Sequence, residues 1–186
     1  MVIDESTATA VLKRDCKIFH RREKELALKY RAKRSRKAWL NSALDILNST
    51  SYLVAIVRLD DDKRYLHIWR LSPEENGNFS VCYGILDTKK CDISESYVKL
   101  NLTKHFIVRV MQMCQSTCIE DIRETLFTVI DELNNLAPDF ERGVEYEIYI
   151  KDIGLVPTSI KEDNTCIVKT LVPINLLSDH QKKYLT

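Results

Sequence analysis

The sequence predicts an α+β protein in which a mostly antiparallel sheet packs against a long amphipathic helix. An apolar run over residues 52–57 and an alternating segment over 65–71 flank an acidic turn, which is the pattern of a β-hairpin. Apolar residues recur every three or four positions from Ile119 to Leu136, and Pro138 ends that helix. Strands and helices do not alternate as βαβ units, so a doubly wound fold is disfavoured.

Length and composition fit a single globular domain. The chain has 186 residues, of which 45% are apolar and 30% charged, and a core of this size is stable without disulfides or metals. We predict a short disordered tail over residues 1–11 and one domain over 12–186. No apolar run approaches the roughly 18 residues of a membrane span, and no secretory signal is recognisable. The expectation is an intracellular protein, in the nucleus or cytoplasm, with reduced cysteines.

The start of the domain is predicted to be a charged helix over residues 12–48. This segment has no glycine or proline and is rich in Lys, Arg, Glu, Ala and Leu, which are strong helix formers. Asn48 and the three hydroxyl residues after it end the pattern. The charge is uneven, because residues 1–40 carry a net +7 and the remaining 146 residues carry a net −6. The sequence thus predicts a basic N-terminal helix on a mildly acidic body.

Two helix starts can be predicted after the hairpin. Thr103 is placed to cap a short helix that carries Phe106 and Val110. Thr117 and Glu120 have the spacing of a capping box at the start of the long helix.

The remaining segments predict strands and one loop. Asn76 and Gly77 predict a turn, Phe79–Leu86 predicts a third strand after it, and Lys89–Ser96 predicts a polar loop. Val144–Lys151 alternates strictly and predicts a half-exposed strand. Thr165–Pro173 predicts the last strand of the sheet.

No residue pattern in the chain indicates an enzyme. The four glycines are scattered, so no phosphate-binding loop is present, and no Gly-x-Ser-x-Gly nucleophile motif occurs. The four histidines are isolated from one another and from any nucleophile pattern. Asp60–Asp62 fits a solvated turn better than a metal site, because oxygen-ligand cages draw on more than one short run. We therefore predict a binding protein with no cofactor, no metal and no catalytic residues.

The sharpest local feature is a basic cluster, in which six cations fall within residues 29–37. Its members are Lys29, Arg31, Lys33, Arg34, Arg36 and Lys37. Such a cluster can contact nucleic-acid phosphates, an anionic surface or an import receptor. It can equally be a solvated helix whose charges pair with Glu23, Glu25 or the acidic body. The sequence leaves both hypotheses open.

Three segments, taken in order, resemble the HORMA domain, the adaptor fold of spindle-checkpoint, meiotic-axis, translesion-synthesis and autophagy proteins. The first is the helix end and hairpin over Leu44–Leu71, which includes LVAIVRLDDDKRYLHIWRL. The second is the helix and alternating strand over Cys118–Asp152, and the third is Leu155–Lys169 with its continuation to Leu185. The third segment would correspond to the mobile C-terminal part called the safety belt in that family.

The resemblance implies a non-enzymatic adaptor that captures a short extended peptide of a partner protein. The peptide would add to the sheet as a strand, and no cofactor would be required. The partner-binding residues implied are Tyr146, Ile148 and Ile150 in the alternating strand, and Ile167, Lys169, Leu171 and Val172 in the last one.

Two other functions are compatible with the sequence. A nucleic-acid-binding or viral matrix-like accessory protein would use the basic cluster on RNA or DNA, and its binding would weaken steeply with salt. A structural subunit of a larger assembly would bury Trp39 and Leu40 only in the complex. Each hypothesis is compatible with an oligomer, and the sequence identifies no individual partner.

Overall fold

The computed structural model describes residues 3–14, 54–59, 65–74, 76–87 and 92–185. These residues form helices and one mixed sheet, which confirms the α+β class. The strands are β1 Val54–Leu59, β2 Tyr65–Pro73, β3 Phe79–Asp87, β4 Asp92–Leu102, β5 Glu145–Ile150, β6 Gly154–Ile160, β7 Cys166–Val168 and β8 Val172–Pro173. The helices that follow β4 are α1 Lys104–Cys114, α2 Ile119–Leu136 and, near the C-terminus, α3 Asp179–Lys182.

The strands lie in the order β1-β2-β3-β4-β7-β6-β5, and β8 also pairs with β6. Every neighbouring pair is antiparallel except β4 and β7, which run parallel. One side of β6 pairs with β5, and its other side pairs first with β8 and then with β7. The strand β5 therefore lies at one edge of the sheet.

The β2–β3 hairpin is closed by the turn that Asn76 and Gly77 predicted. Gly77 adopts a φ of 84°, and its N–H donates to the Glu74 carbonyl at 3.0 Å. The Glu74 carboxylate accepts hydrogen bonds from Ser80 and, at 2.9 Å, from Asn101 Nδ2. Because Asn101 belongs to β4, this carboxylate ties the turn to the next strand.

The core lies between one face of the sheet and the helices. Phe79 and Leu102 of the sheet and Phe106 of α1 are fully buried in it. The long helix α2 contributes a stripe of buried residues at three- and four-residue spacing, namely Ile122, Leu126, Val129, Ile130 and Leu133. That spacing is the one from which the sequence predicts an amphipathic helix.

Thr103 holds the start of α1 and also the last part of the sheet. Its hydroxyl accepts from the Phe106 N–H at 3.1 Å, which confirms the predicted cap. The same hydroxyl donates to the Lys169 carbonyl at 2.6 Å, and the Thr103 N–H donates to the Val168 carbonyl at 3.0 Å. One residue thus joins β4, α1 and the break between β7 and β8.

The helix α2 begins at Ile119, one residue later than a cap at Thr117 would place it. The N-cap of α2 is Cys118, whose side chain makes no capping bond. The Ser116 hydroxyl instead accepts from the Cys118 N–H at 3.0 Å and pairs with the Asp121 carboxylate in the first turn.

The N-terminal residues differ from the predicted disordered tail over 1–11. Residues 5–14 are helical, and Ile3, Ala8 and Leu12 are buried in the core. Asp4 accepts from the Thr7 N–H at 2.7 Å, which is the geometry of an N-cap. The sequence signals for this helix are the capping aspartate and the apolar pair at i and i+4. Their place at the chain terminus favours the prediction of a disordered tail instead.

Two strands were not predicted. The segment Lys89–Ser96 was expected to be a polar loop, but Asp92 begins β4, which pairs with β3. The strand β6 contains Gly154 and Pro157, two residues that commonly interrupt strands. In both cases the ladder with neighbouring strands outweighs the local preference of the residues.

Pro157 explains why the predicted strand over Thr165–Pro173 is interrupted. The Lys169 N–H donates to the Pro157 carbonyl at 2.9 Å. An antiparallel pair would return a bond from residue 157 to the Lys169 carbonyl, but proline has no N–H. The Thr103 hydroxyl donates to that carbonyl instead, and the chain resumes pairing with β6 at Val172.

We expect Thr103→Val to lower the free energy of unfolding by about 2 kcal/mol, because the cap is lost and the Lys169 carbonyl loses its donor. Thr103→Ser is the matched control and should cost about 0.5 kcal/mol, since it keeps the hydroxyl. Urea denaturation followed by circular dichroism measures both. Equal losses in the two variants would contradict a role for the hydroxyl.

Candidate partner-binding site

The strand β5 presents a side with no neighbouring strand among the described residues. The Ile160 N–H donates to the Val144 carbonyl at 2.9 Å, which extends the β5–β6 ladder by one residue. Peptide groups alternate in direction along an antiparallel strand. The N–H and C=O groups of Glu145, Glu147 and Tyr149 therefore point away from β6. These three residues are called the open edge below.

The predicted residues Tyr146, Ile148 and Ile150 face the core. Ile148 and Ile150 are buried, and Tyr146 is half-buried with its ring 4.8 Å from that of Phe140. The Tyr146 hydroxyl also accepts from the Glu141 N–H at 2.7 Å. These side chains position the strand, and a partner would reach it through its backbone and its other face.

The other face of β5 is acidic and aromatic. Glu145 and Glu147 are exposed, and the Tyr149 ring lies 5.3 Å from that of Tyr184 in the C-terminal turn. Partial desolvation raises the pKa of the Tyr149 phenol, and the neighbouring Glu147 carboxylate adds to that effect. The Tyr149 phenol and the carboxylates of Glu145 and Glu147 therefore give the open edge hydrogen-bond acceptors and negative charge.

The four residues predicted to bind a partner in the last strand lie in different environments. Ile167 lies in β7 between β4 and β6, so it has no access to an edge. Lys169 forms an ion pair with Glu145 and so lies beside the open edge. Leu171 is buried in the core, and Val172 is half-buried in β8. Lys169 and Val172 are the members of this group that a ligand could contact.

Val172 lines a groove of 380 Å³ between α1 and residues 170–176. Its polar side chains are His105, Arg109, Gln112, Gln115, Thr170 and Asn175. Its apolar residues are Met113, Leu171, Val172, Pro173 and Leu176. Sequence analysis missed this groove, because the residues that form it are separated by more than 50 positions and no local motif links the two segments.

Two perturbed groups have structural roles. Hydrogen bonds led by that from Ser80 lower the pKa of Glu74 below its usual value, so this carboxylate stays ionised as an acceptor. Burial raises the pKa of the Cys166 thiol to about 11, which keeps it protonated and a poor nucleophile. Within the described ranges, no group of three or more His, Cys, Asp or Glu side chains could hold a metal ion. None of the helices in these ranges has the length and apolar content that crossing a bilayer requires.

Several predicted features lie outside the described residues. They are the nucleic-acid-binding candidates Lys29, Arg31, Lys33, Arg34, Arg36 and Lys37, the residues Trp39 and Leu40, and the turn Asp60–Asp62. Their functions stay predictions from the sequence.

No family model, curated protein or solved structure matches this chain. The open edge, the groove and the charges of the sequence are therefore the features that bear on function.

Gly154 holds β8 against β6 and thereby shapes one wall of the groove. It has a φ of 138°, and a Cβ there would overlap the Val172 carbonyl oxygen. We expect Gly154→Ala to lower the free energy of unfolding by about 3 kcal/mol, through backbone strain and displacement of β8.

Gly143→Ala is the matched control for this substitution. Gly143 has a φ of 73°, but a Cβ at that position would contact only the Glu162 side chain, at 3.2 Å. That side chain can move away. The expected loss is about 1 kcal/mol, from the left-handed backbone alone. Urea titrations of both variants measure the losses in the free energy of unfolding. Losses of similar size would show that the approach of β8 to β6 is not tightly constrained.

Proposed function

We propose that this chain is a single-domain, non-enzymatic adaptor that captures an extended segment of a partner protein by strand addition to β5. The observation that carries the proposal is the open edge, where three residues direct backbone groups away from β6 and no described strand lies beside them. Such an edge is a template on which an extended peptide can form a new ladder. The order of the β1–β2 hairpin, α2 and β5 along the chain is the feature on which the resemblance to HORMA adaptors rests.

The strand β5 is better suited to this role than β1, which lies at the other end of the sheet. The β1–β2 ladder is irregular between Val54 and Val57, and such bulges twist an edge away from further pairing. The β5–β6 ladder pairs six consecutive residues without a shift in register. A regular edge offers evenly alternating donors and acceptors to a partner strand.

Backbone pairing alone would give weak binding. Glu145, Glu147 and Tyr149 supply six outward backbone groups, and each hydrogen bond contributes about 1 kcal/mol net. The sum of about 6 kcal/mol is less than the roughly 8 kcal/mol of a micromolar complex, even before the peptide loses its conformational entropy. Side chains must therefore add affinity. The exposed Glu145 and Glu147 favour a partner segment with Lys or Arg at alternate positions.

The test uses peptides selected from a displayed random library with the intact chain as bait. Glu147→Pro removes the outward N–H and places a ring at the open edge, while the N–H groups of Tyr146 and Ile148 stay available to β6. Glu147→Gln is the matched control, because it removes the charge and keeps the N–H. Fluorescence anisotropy gives the dissociation constants, and amide hydrogen exchange reports protection at the open edge.

We expect Glu147→Pro to weaken binding at least tenfold and Glu147→Gln to weaken it by about threefold, in line with the loss of one exposed charge pair. The amides of Glu145 and Tyr149 should exchange more slowly in the complex. Peptides that bind both variants equally, or no selected peptide at all, would contradict strand addition at β5.

A second candidate function follows from the six cations in residues 29–37, which would contact the phosphates of RNA or DNA. The test measures binding of mixed-sequence nucleic acid across a salt series. In a comparison variant, Lys33, Arg34, Arg36 and Lys37 are replaced by Ala. Each lost phosphate contact should lower the slope of log affinity against log salt by about one.

Steep salt dependence that disappears in the substituted variant would support an accessory protein that binds nucleic acid. Absence of binding at low salt would exclude that function. If peptide capture also failed, the proposal of a structural subunit within a larger assembly would remain.

A further inference from the structure

The groove between α1 and residues 170–176 combines a cationic wall with an apolar wall. Arg109 projects from α1, and its Nη1 donates to Gln112 Oε1 at 2.8 Å. No carboxylate side chain is among the described residues that line the groove. Glu5 Oε1 lies 3.8 Å from Nδ1 of His105, which lines the groove. Among the described lining residues, no anion therefore competes with a ligand for the Arg109 guanidinium.

The apolar wall is accessible and firmly held. Leu176 is 68% exposed, which is high for a leucine, and Met113 and Pro173 line the groove with it. The turn that carries Leu176 is anchored by the buried side chains of Leu171 on one side and Leu177 on the other. The Leu177 N–H also donates to the Ile174 carbonyl at 3.2 Å. The wall is therefore formed before a ligand arrives.

The size and edges of the groove favour a small molecule over a peptide strand. Its 380 Å³ lies at the lower end of the roughly 300–1,000 Å³ that small-molecule sites occupy. The adjoining strand β8 has two residues, and one of them is Pro173, which offers no N–H to a peptide. A mostly apolar site with a few convergent polar groups is the usual form of a small-ligand site.

We propose that this groove binds a small organic anion, with its acid group on Arg109 and its apolar body against Met113, Pro173 and Leu176. The guanidinium presents two parallel donors to a planar or tetrahedral acid group. The site is separate from the open edge of β5, so it stands or falls independently of peptide capture.

The test uses two fluorescent probes with the same rings. 8-Anilinonaphthalene-1-sulfonate carries one sulfonate, and N-phenyl-1-naphthylamine lacks it. Titration of the intact chain with the sulfonate should show saturable binding at one site, and the neutral probe should bind more weakly. Arg109→Gln should raise the dissociation constant of the sulfonate about tenfold and leave that of the neutral probe unchanged. Arg109→Lys should restore part of the difference, because it keeps the charge.

Two further variants locate the site. Leu176→Gln should weaken both probes, since it removes apolar surface that both rings contact. Arg142→Gln is the matched control, because this exposed arginine donates to Asn164 Oδ1 at 2.7 Å and does not line the groove. Three results would each overturn the proposal. They are equal effects of the Arg109 and Arg142 variants on the dissociation constant of the sulfonate, no effect of Leu176→Gln on the binding of either probe, and no saturable binding to the intact chain. Circular dichroism confirms that every variant is folded.

Discussion

The satisfaction of backbone hydrogen bonds around Pro157 is the constraint on which the C-terminal half of the sheet depends. A proline inside a central strand removes one donor, and the carbonyl that would have received it must find another. Thr103 supplies that donor from outside the strand pair, and the same hydroxyl caps α1. That side chain thereby links the start of α1 to Lys169, which pairs with Pro157 of β6. The break that follows allows residues 170–176 to leave the plane of β7 and form one wall of the groove.

Both candidate sites are arranged around β6. Its regular pairing with β5 keeps that strand straight at the edge, with acidic side chains on the accessible face. Its close approach to β8 through Gly154 sets the groove on the opposite side. The two surfaces differ in charge, because the open edge carries Glu145 and Glu147, whereas the groove carries Arg109 and no acidic residue among its described lining. They would therefore select ligands of opposite sign.

Features with a strong local signal could be predicted from the sequence, whereas features set by distant partners could not. The strict alternation around Ile148, the Asn-Gly turn and the Thr103 cap each follow from neighbouring residues, and the structure contains all three. The strands β4 and β6 were missed because polar residues in one and Pro157 in the other oppose strand formation locally. Their stability comes from ladders on both sides. The groove has no local signal either, because α1 and residues 170–176, which line it, are more than 50 positions apart in the chain. The alternation predicts that Tyr146, Ile148 and Ile150 lie on one face of a half-exposed strand, but the sequence does not reveal which edge of that strand is open.

The single parallel pairing in the sheet has a consequence for how the chain folds. Strands β2 to β4 form a meander of neighbouring hairpins, and β5 with β6 forms another, so each can assemble from contacts close in sequence. The two are joined where Thr103 meets Lys169, 66 positions further along the chain. Closing so long a loop is entropically costly and is delayed until both halves exist. Closing this loop is therefore expected to be part of the rate-limiting step, so that weakening the junction slows folding.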